Sequence, residues 1–233
     1  MLQYNACKEV ISEISIHINN GAVVVLPTAT NYNVFTRYDN KEGVKRIYKA
    51  KHRDHRKPLT LCCANVKMAL QYVKIGSVSE ALIKKCLPGN ISFICRKNNK
   101  VPNYITSGID TVAIANQSQD LLNAIIESVG APLAGTSANL SGGGNVREYE
   151  KAYNDLGGKV DVMVNDGTLI SQDANSIIDL LGNVPLLVRE GDVDKATLKK
   201  MLAEIDDSIT EAHYKSVTNE KSESSGHELL ELD

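Results

Sequence analysis

The chain has 233 residues, 42% hydrophobic and 23% charged, with a net charge of −2, the balance of a soluble globular chain with a sizeable core. With no Trp and only 2 Phe, aliphatic residues must fill that core. No apolar run nears the ~18 residues of a membrane span, the start MLQYNACKEV lacks a signal peptide's basic-then-apolar order, and five Cys without paired spacing point to reduced cytoplasmic thiols, so secreted, membrane-spanning and collagen-like classes are set aside. Residues Asn5–Ile18 carry Cys7, Val10, Ile11, Ile14 and Ile18 at three- and four-residue steps, which predicts an amphipathic helix, stopped by Asn19-Asn20-Gly21. Ala22–Leu26 is a β-branched apolar run of the buried-strand kind, cut off by Pro27.

Asn40 is placed to cap a helix carrying Val44, Ile47 and Tyr48. A strand over Leu59–Ala64 follows, then a helix over Val78–Cys86 ended by Pro88-Gly89. Strands are expected at Ile91–Cys95, Thr111–Ile114 and Leu133–Thr136, with a helix over Leu121–Val129 between the last two. Val146–Leu156 reads as helix, Val160–Val164, Ser176–Leu181 and Pro185–Val188 as strands, and Lys195–Ile205 as a closing helix. Alternating helices and strands predict one α/β domain over 1–205, with no fixed repeat period. From Asp206 the chain holds eight acidic and two basic residues, leaving the body 24 basic against 20 acidic. This acidic segment, 206–233, is expected to be a disordered tail, and the mildly basic body suits a phosphate-bearing ligand.

No phosphate-binding loop, dinucleotide fingerprint or Gly-x-Ser-x-Gly elbow is present. A metal site is also unsupported, because His52 and His55 sit within the cationic run Lys51–Lys57. Cys62 and Cys63 are successive strand positions and should face opposite ways. Three polar clusters stand at strand ends: Pro27-Thr28-Ala29-Thr30-Asn31-Tyr32, the run Lys51–Lys57, and Thr136-Ser137-Ala138-Asn139-Leu140-Ser141-Gly142. Singly they read as turn hydroxyls, a solvated charge run and an Asx turn. Converging at the carboxyl ends of strands, they would suit a polyphosphate and a small polar ligand.

The ordered set Pro27-Thr28-x-Thr30-x-Tyr32, Lys51-x-Arg53 with Pro58-Leu59, Pro88-Gly89, Ser137-Ala138-Asn139-x-Ser141-Gly142, Ser176-Ile177-Ile178-Asp179 and Arg189-Glu190-Gly191 resembles YrdC/YciO-type proteins over Gly21–Gly191. The resemblance implies a single YrdC-like domain, a twisted mixed β-sheet flanked by helices with a large, positively charged cavity. It also implies a nucleotidyltransferase that converts L-threonine, bicarbonate and ATP, with Mg²⁺, to threonylcarbamoyl-AMP and pyrophosphate for tRNA modification. tRNA or tRNA-modifying proteins are expected partners, in the cytoplasm and away from membranes.

By the same resemblance, Lys51 and Arg53 hold phosphates and offset charge in the reaction. Thr28, Thr30, Tyr32 and Ser137 line the amino-acid side, and Thr111, Asn139, Ser141, Ser176 and Arg189 the nucleotide. The chain also departs from the pattern. Ala29 replaces an acidic residue, and Asn33 a glycine. Ile114-Ala115-Asn116-Gln117 lacks an arginine expected near the threonine carboxylate, and Cys62 or Cys63 stands where a histidine is often found. These departures leave open an enzyme adenylating another substrate, or a non-catalytic nucleotide- or RNA-binding module.

Overall fold

The apolar run after Gly21 forms β2 (Val24–Pro27), all four residues buried, inside a large mixed sheet. The structure is a computed structural model that describes residues 1–170, 174–191 and 193–205. The expected acidic tail therefore lies outside the described residues. The other strands are β1 (Leu2–Asn5), β3 (Tyr32–Arg37), β4 (Thr60–Cys62), β5 (Val73–Lys74), β6 (Ile91–Lys97), β7 (Thr111–Ala115), β8 (Leu133–Ser137), β9 (Val162–Asn165), β10 (Ser176–Asp179) and β11 (Leu186–Arg189). Their order is β1-β9-β2-β3-β8-β4-β7-β6-β10-β11, with β5 added beside β6. Parallel pairs such as β4 with β7 mix with antiparallel ones such as β3 with β8. The α/β class with a mixed sheet is as expected.

Side chains alternate across this sheet, so each strand feeds two layers. One face takes Val25, Val34, Leu61, Phe93, Ile114 and Ala134. Helices α2 (Lys41–Lys51), α4 (Ser77–Cys86), α6 (Tyr149–Leu156) and α7 (Lys195–Ile205) cover it with Ile47, Ile83, Leu156 and Leu198, while a short α3 (Val66–Leu70) lies near α4. The other face takes Val24, Leu26, Phe35, Cys62, Leu133 and Val162. There α1 (Ile11–Asn19) and α5 (Asp120–Val129) pack on each other and contribute Ile14, Ile18, Leu122, Ile125 and Ile126. Cys62 and Cys63 do face opposite ways, one into each layer.

Several expected boundaries move. Leu2–Asn5 is a strand paired in parallel with β9, Leu2 opposite Val162, and a 3-10 turn over Lys8–Val10 delays α1 to Ile11. The closing residues of the 146–156 helix are right, but it starts at Tyr149. Thr28–Asn31 is a hairpin turn rather than an open loop: the Thr28 amide donates to the Asn31 carbonyl at 2.9 Å and leads into antiparallel β3. Asn40 caps α2 as expected, its side chain accepting from the Gly43 amide at 3.0 Å. No helix among the described residues is long and apolar enough to cross a membrane.

Candidate functional site

Helices α1 and α5 cover only one end of their sheet face. Beyond them the face carries polar or small residues in register. Asn33 sits opposite Ser137, Phe35 opposite Gly135, and Gly135 opposite Thr60. Cys62, Ala115, Ser92 and Ile177 continue across four neighbouring strands. These residues floor a cavity of about 450 Å³, within the range of small-molecule sites. Phe35 can lie across this floor only because position 135 is glycine: a Cβ there would fall 2.2 Å from the Phe35 ring.

Three connections wall the cavity. The first is the β2–β3 turn, which brings Thr30 and Asn31. The Thr30 hydroxyl donates to Asn175 Oδ1 at 3.0 Å, and the Ala29 amide donates to Gln117 Oε1 at 3.1 Å, so the turn is tied to β10 and to the end of β7. The second is the stretch after α2. His52 takes a left-handed conformation (φ 52°), which ends the helix and turns Arg53 toward the cavity. Arg53 is 4% exposed and donates through Nε to the Lys57 carbonyl and through Nη2 to the Pro58 carbonyl.

The third wall comes from β10 and β11. Arg189 Nε donates to the Asn175 carbonyl at 2.9 Å. Two residues on, Gly191 passes so near Ala174 that a Cβ would lie 2.1 Å from its carbonyl oxygen. That close approach accounts for the Arg-Glu-Gly pattern, because a side chain at 191 would push β11 and its arginine outward. Among the described residues lining the cavity, Arg53 and Arg189 carry charge and none is acidic.

Thr30, Arg53, Ser137 and Arg189, predicted from the sequence, thus meet at one cavity. The other candidates lie off its wall. Lys51 is 1% exposed and sits behind the β8 turn. Its ammonium donates to the carbonyls of Ser137 (2.5 Å) and Asn139 (2.7 Å) and to Asn139 Oδ1 (3.1 Å). An ammonium has three protons, and these three acceptors tie Lys51 to the β8 turn. Asn139 is buried in the same network: Oδ1 accepts from Ser137 Oγ, and Nδ2 donates to the Gly144 carbonyl. Ser141 donates its backbone amide to the Lys51 carbonyl, while its neighbours Gly142, Gly144 and Asn145 reach the cavity.

Thr28 closes the hairpin turn, its hydroxyl donating to the Asn31 carbonyl at 2.7 Å. Tyr32 points to the opposite sheet face. Its hydroxyl donates to the Gly167 carbonyl and accepts from the Asp166 amide, and burial pushes its pKa up to about 12. Ser176 is fully buried and exchanges hydrogen bonds with the Val193 backbone. Thr111 starts β7, whereas the cavity is lined by Ala115 four residues on, about 13 Å along the strand. Cys62 does line the cavity, and burial raises its pKa to about 12, so it stays a neutral thiol.

Ser92, Asn145 and Asn175 line the cavity but were not singled out from the sequence. A signal existed for Ser92: a lone polar residue in the apolar run Ile91–Cys95, on the parity that β6 gives to the cavity.

A family model for the Sua5/YciO/YrdC domain, described as telomere recombination, matches residues 17–191. The threonylcarbamoyl-AMP synthase of Pyrococcus abyssi is 30% identical over 189 residues, 81% of this chain and 56% of the relative. The Escherichia coli K12 protein YciO, uncharacterized, is 26% identical over 80% of this chain and 91% of its own. The crystal structure of P. abyssi Sua5 complexed with L-threonine superposes with a TM-score of 0.80 at 28% identity, over 87% of this chain and 60% of that one. This chain therefore spans little more than half the length of the Pyrococcus abyssi and Bacillus subtilis synthases it matches. With the family model spanning most of the folded body and the same fold in the solved relatives, the chain belongs to the Sua5/YciO/YrdC family.

Proposed function

We propose that the cavity is the active site of an ATP-dependent nucleotidyltransferase that makes threonylcarbamoyl-AMP. The amine of L-threonine and bicarbonate condense to a carbamate with loss of water. A carbamate oxygen then attacks the α-phosphorus of ATP, the bond from that phosphorus to the bridging oxygen breaks, and pyrophosphate leaves with the electron pair. No protein nucleophile takes part, so the protein's task is positioning and charge stabilisation.

The observation that carries the reading is the convergence of Arg53, Arg189, Ser137 and Thr30 on one cavity without a lining carboxylate among the described residues. Two guanidiniums suit the phosphates, and the hydroxyl oxygens of Ser137 and Thr30 can accept hydrogen bonds from the amino acid. Lys51 acts from behind, fixing the carbonyls of Ser137 and Asn139 and so the position of the Ser137 hydroxyl. Mg²⁺ would arrive on the phosphates of ATP as part of that substrate. The product would supply a tRNA-modifying partner in the cytoplasm.

One observation favours a second reading, in which the adenylated substrate is not threonine. Ala115 stands on the cavity floor where the resemblance leads one to expect an arginine, and beside it is Cys62, one of the two cysteines at the place of an expected histidine. Pyrophosphate release from ATP decides between them. Release that needs both L-threonine and bicarbonate supports the first reading. Release with another amine in place of threonine supports the second. ATP binding without release under any condition overturns both.

A further inference from the structure

We infer that a groove at the far end of β6, outside the cavity, is a second anion site built to take phosphate groups. The groove encloses about 390 Å³ and is lined by Lys74, Arg96, Lys97, Asn98, Asn103 and Asp110, among others. Arg96 shares the sheet face of Ser92 but lies four residues further along β6, about 13 Å away. The two sites are therefore separate.

The charge arrangement carries the inference. Strands β5 and β6 pair antiparallel with Lys74 directly opposite Arg96. Side chains at such positions start about 5 Å apart, and like charges there repel. Neither Lys74 nor Arg96 makes an ion pair or a side-chain hydrogen bond among the described residues. Lys97, the next residue on β6, donates to two neutral oxygens, Asn103 Oδ1 at 2.6 Å and Thr106 Oγ1 at 3.0 Å, so its charge is held in place without being cancelled.

Elsewhere, among the described residues, Arg37, Lys45, Arg46, Arg56, Lys84 and Lys85 each have a carboxylate within 2.9 Å. The groove's one lining acid, Asp110, forms no such pair with its three cations. Like charges directly opposite one another are unfavourable, and an anion between Lys74 and Arg96 would relieve that repulsion. The amides fit the same ligand. Lys97 engages the Asn103 carbonyl oxygen, leaving the Asn103 NH₂ as a donor without an acceptor among the described residues. Two swinging cations, one fixed ammonium and an amide donor match a tetrahedral oxyanion with several acceptors better than a single carboxylate.

The phosphates could belong to a free polyphosphate or to a phosphodiester chain, and two probes separate these sources. The full chain is titrated with inorganic tripolyphosphate and, separately, with a short single-stranded oligonucleotide, while the backbone amide resonances of Arg96–Asn103 are followed. Saturable shifts there with tripolyphosphate alone assign the site to free phosphates. Saturable shifts with the oligonucleotide, at an affinity that falls steeply with salt, assign it to a phosphodiester chain.

Lys74→Glu turns the repelling pair into an attracting one, so its melting temperature should equal or exceed that of the natural chain. Its affinity for the responding probe should nevertheless fall at least about tenfold, and Lys74→Ser should lower the salt slope by about 1. No saturable shift at these amides with either probe, or unchanged affinity in both variants, overturns the inference. The cavity residues are untouched by either substitution, so pyrophosphate release by the variants tests the functional reading independently.

Discussion

Replacing Lys51 with Met removes a buried ammonium while nearly keeping its volume, and so tests whether this lysine positions the β8 turn or contacts phosphate. The residue is 1% exposed and donates three hydrogen bonds, two to backbone carbonyls and one to Asn139 Oδ1. A hydrogen bond to a charged group contributes roughly 1.5–3 kcal/mol, and a buried acceptor left unpaired costs about 1–3 kcal/mol. Relief from burying the ammonium offsets part of this loss, so a net destabilisation of about 3 kcal/mol is expected. For a domain of this size that is a fall of about 6–12 °C in melting temperature. ATP affinity, measured by calorimetry below the transition, should fall too, because the Ser137–Asn139 turn loses its anchor. The diagnostic outcome is the pairing of the two effects. A Lys51→Met protein that melts like the natural chain yet no longer binds ATP would refute the positioning role and return the ammonium to the phosphates.

Arg53→Ala should weaken ATP binding or turnover by roughly 2–4 kcal/mol, the scale of one charged donor in a partly dry site; calorimetry showing unchanged affinity would remove Arg53 from the cavity's function. Gly135→Ala drives a methyl into the Phe35 ring and should cost about 1–3 kcal/mol, read as a lower melting temperature and a cavity that takes up less ATP. Buried Cys62 has its pKa raised to about 12 from an ordinary thiol value of 9.0. Below about 9 both folded and unfolded chains keep that proton; above it the unfolded chain ionises first, so stability falls by up to about 1.4 kcal/mol per pH unit for this thiol. Denaturant titrations across pH 9–12 should therefore give a shallower decline for Cys62→Ala. Ala115→Arg places a guanidinium on the cavity floor between Cys62 and Ser92 and should tighten threonine binding about tenfold, one charge-assisted pair, with little change for ATP; no gain would favour the second reading.

The layers were readable in the sequence where short, mainly apolar segments stood between turn residues. Ala22–Leu26, Leu133–Thr136 and Val160–Val164 appear as strands close to where they are expected. Strand β3 was not readable, because Asn33 and Thr36 break its apolar pattern. Both positions answer to something distant: Asn33 faces the cavity, and Thr36 donates to the Ala22 carbonyl. Strand β1 was hidden for the opposite reason. Its residues are mostly exposed, and only the parallel pairing with β9, some 160 positions away, makes them a strand.

For the site, position along the chain located the loops but not the direction of each side chain. Thr28 and Thr30 are two apart in one turn, yet one closes the turn and the other crosses to Asn175. Lys51 and Arg53 are likewise two apart, and the left-handed His52 between them separates their fates. Lys51 is still on the helix and runs beneath the β8 turn, while Arg53 is past it and lines the cavity. Lys51 and Arg53, read from the sequence as one phosphate-holding pair, are thus placed differently. Arg53 faces the cavity, and Lys51 is bonded within the turn that presents Ser137. Arg53 and Arg189 are the cations among the described residues that line the wall, which is why the Lys51 and Arg53 variants should separate loss of fold from loss of ligand.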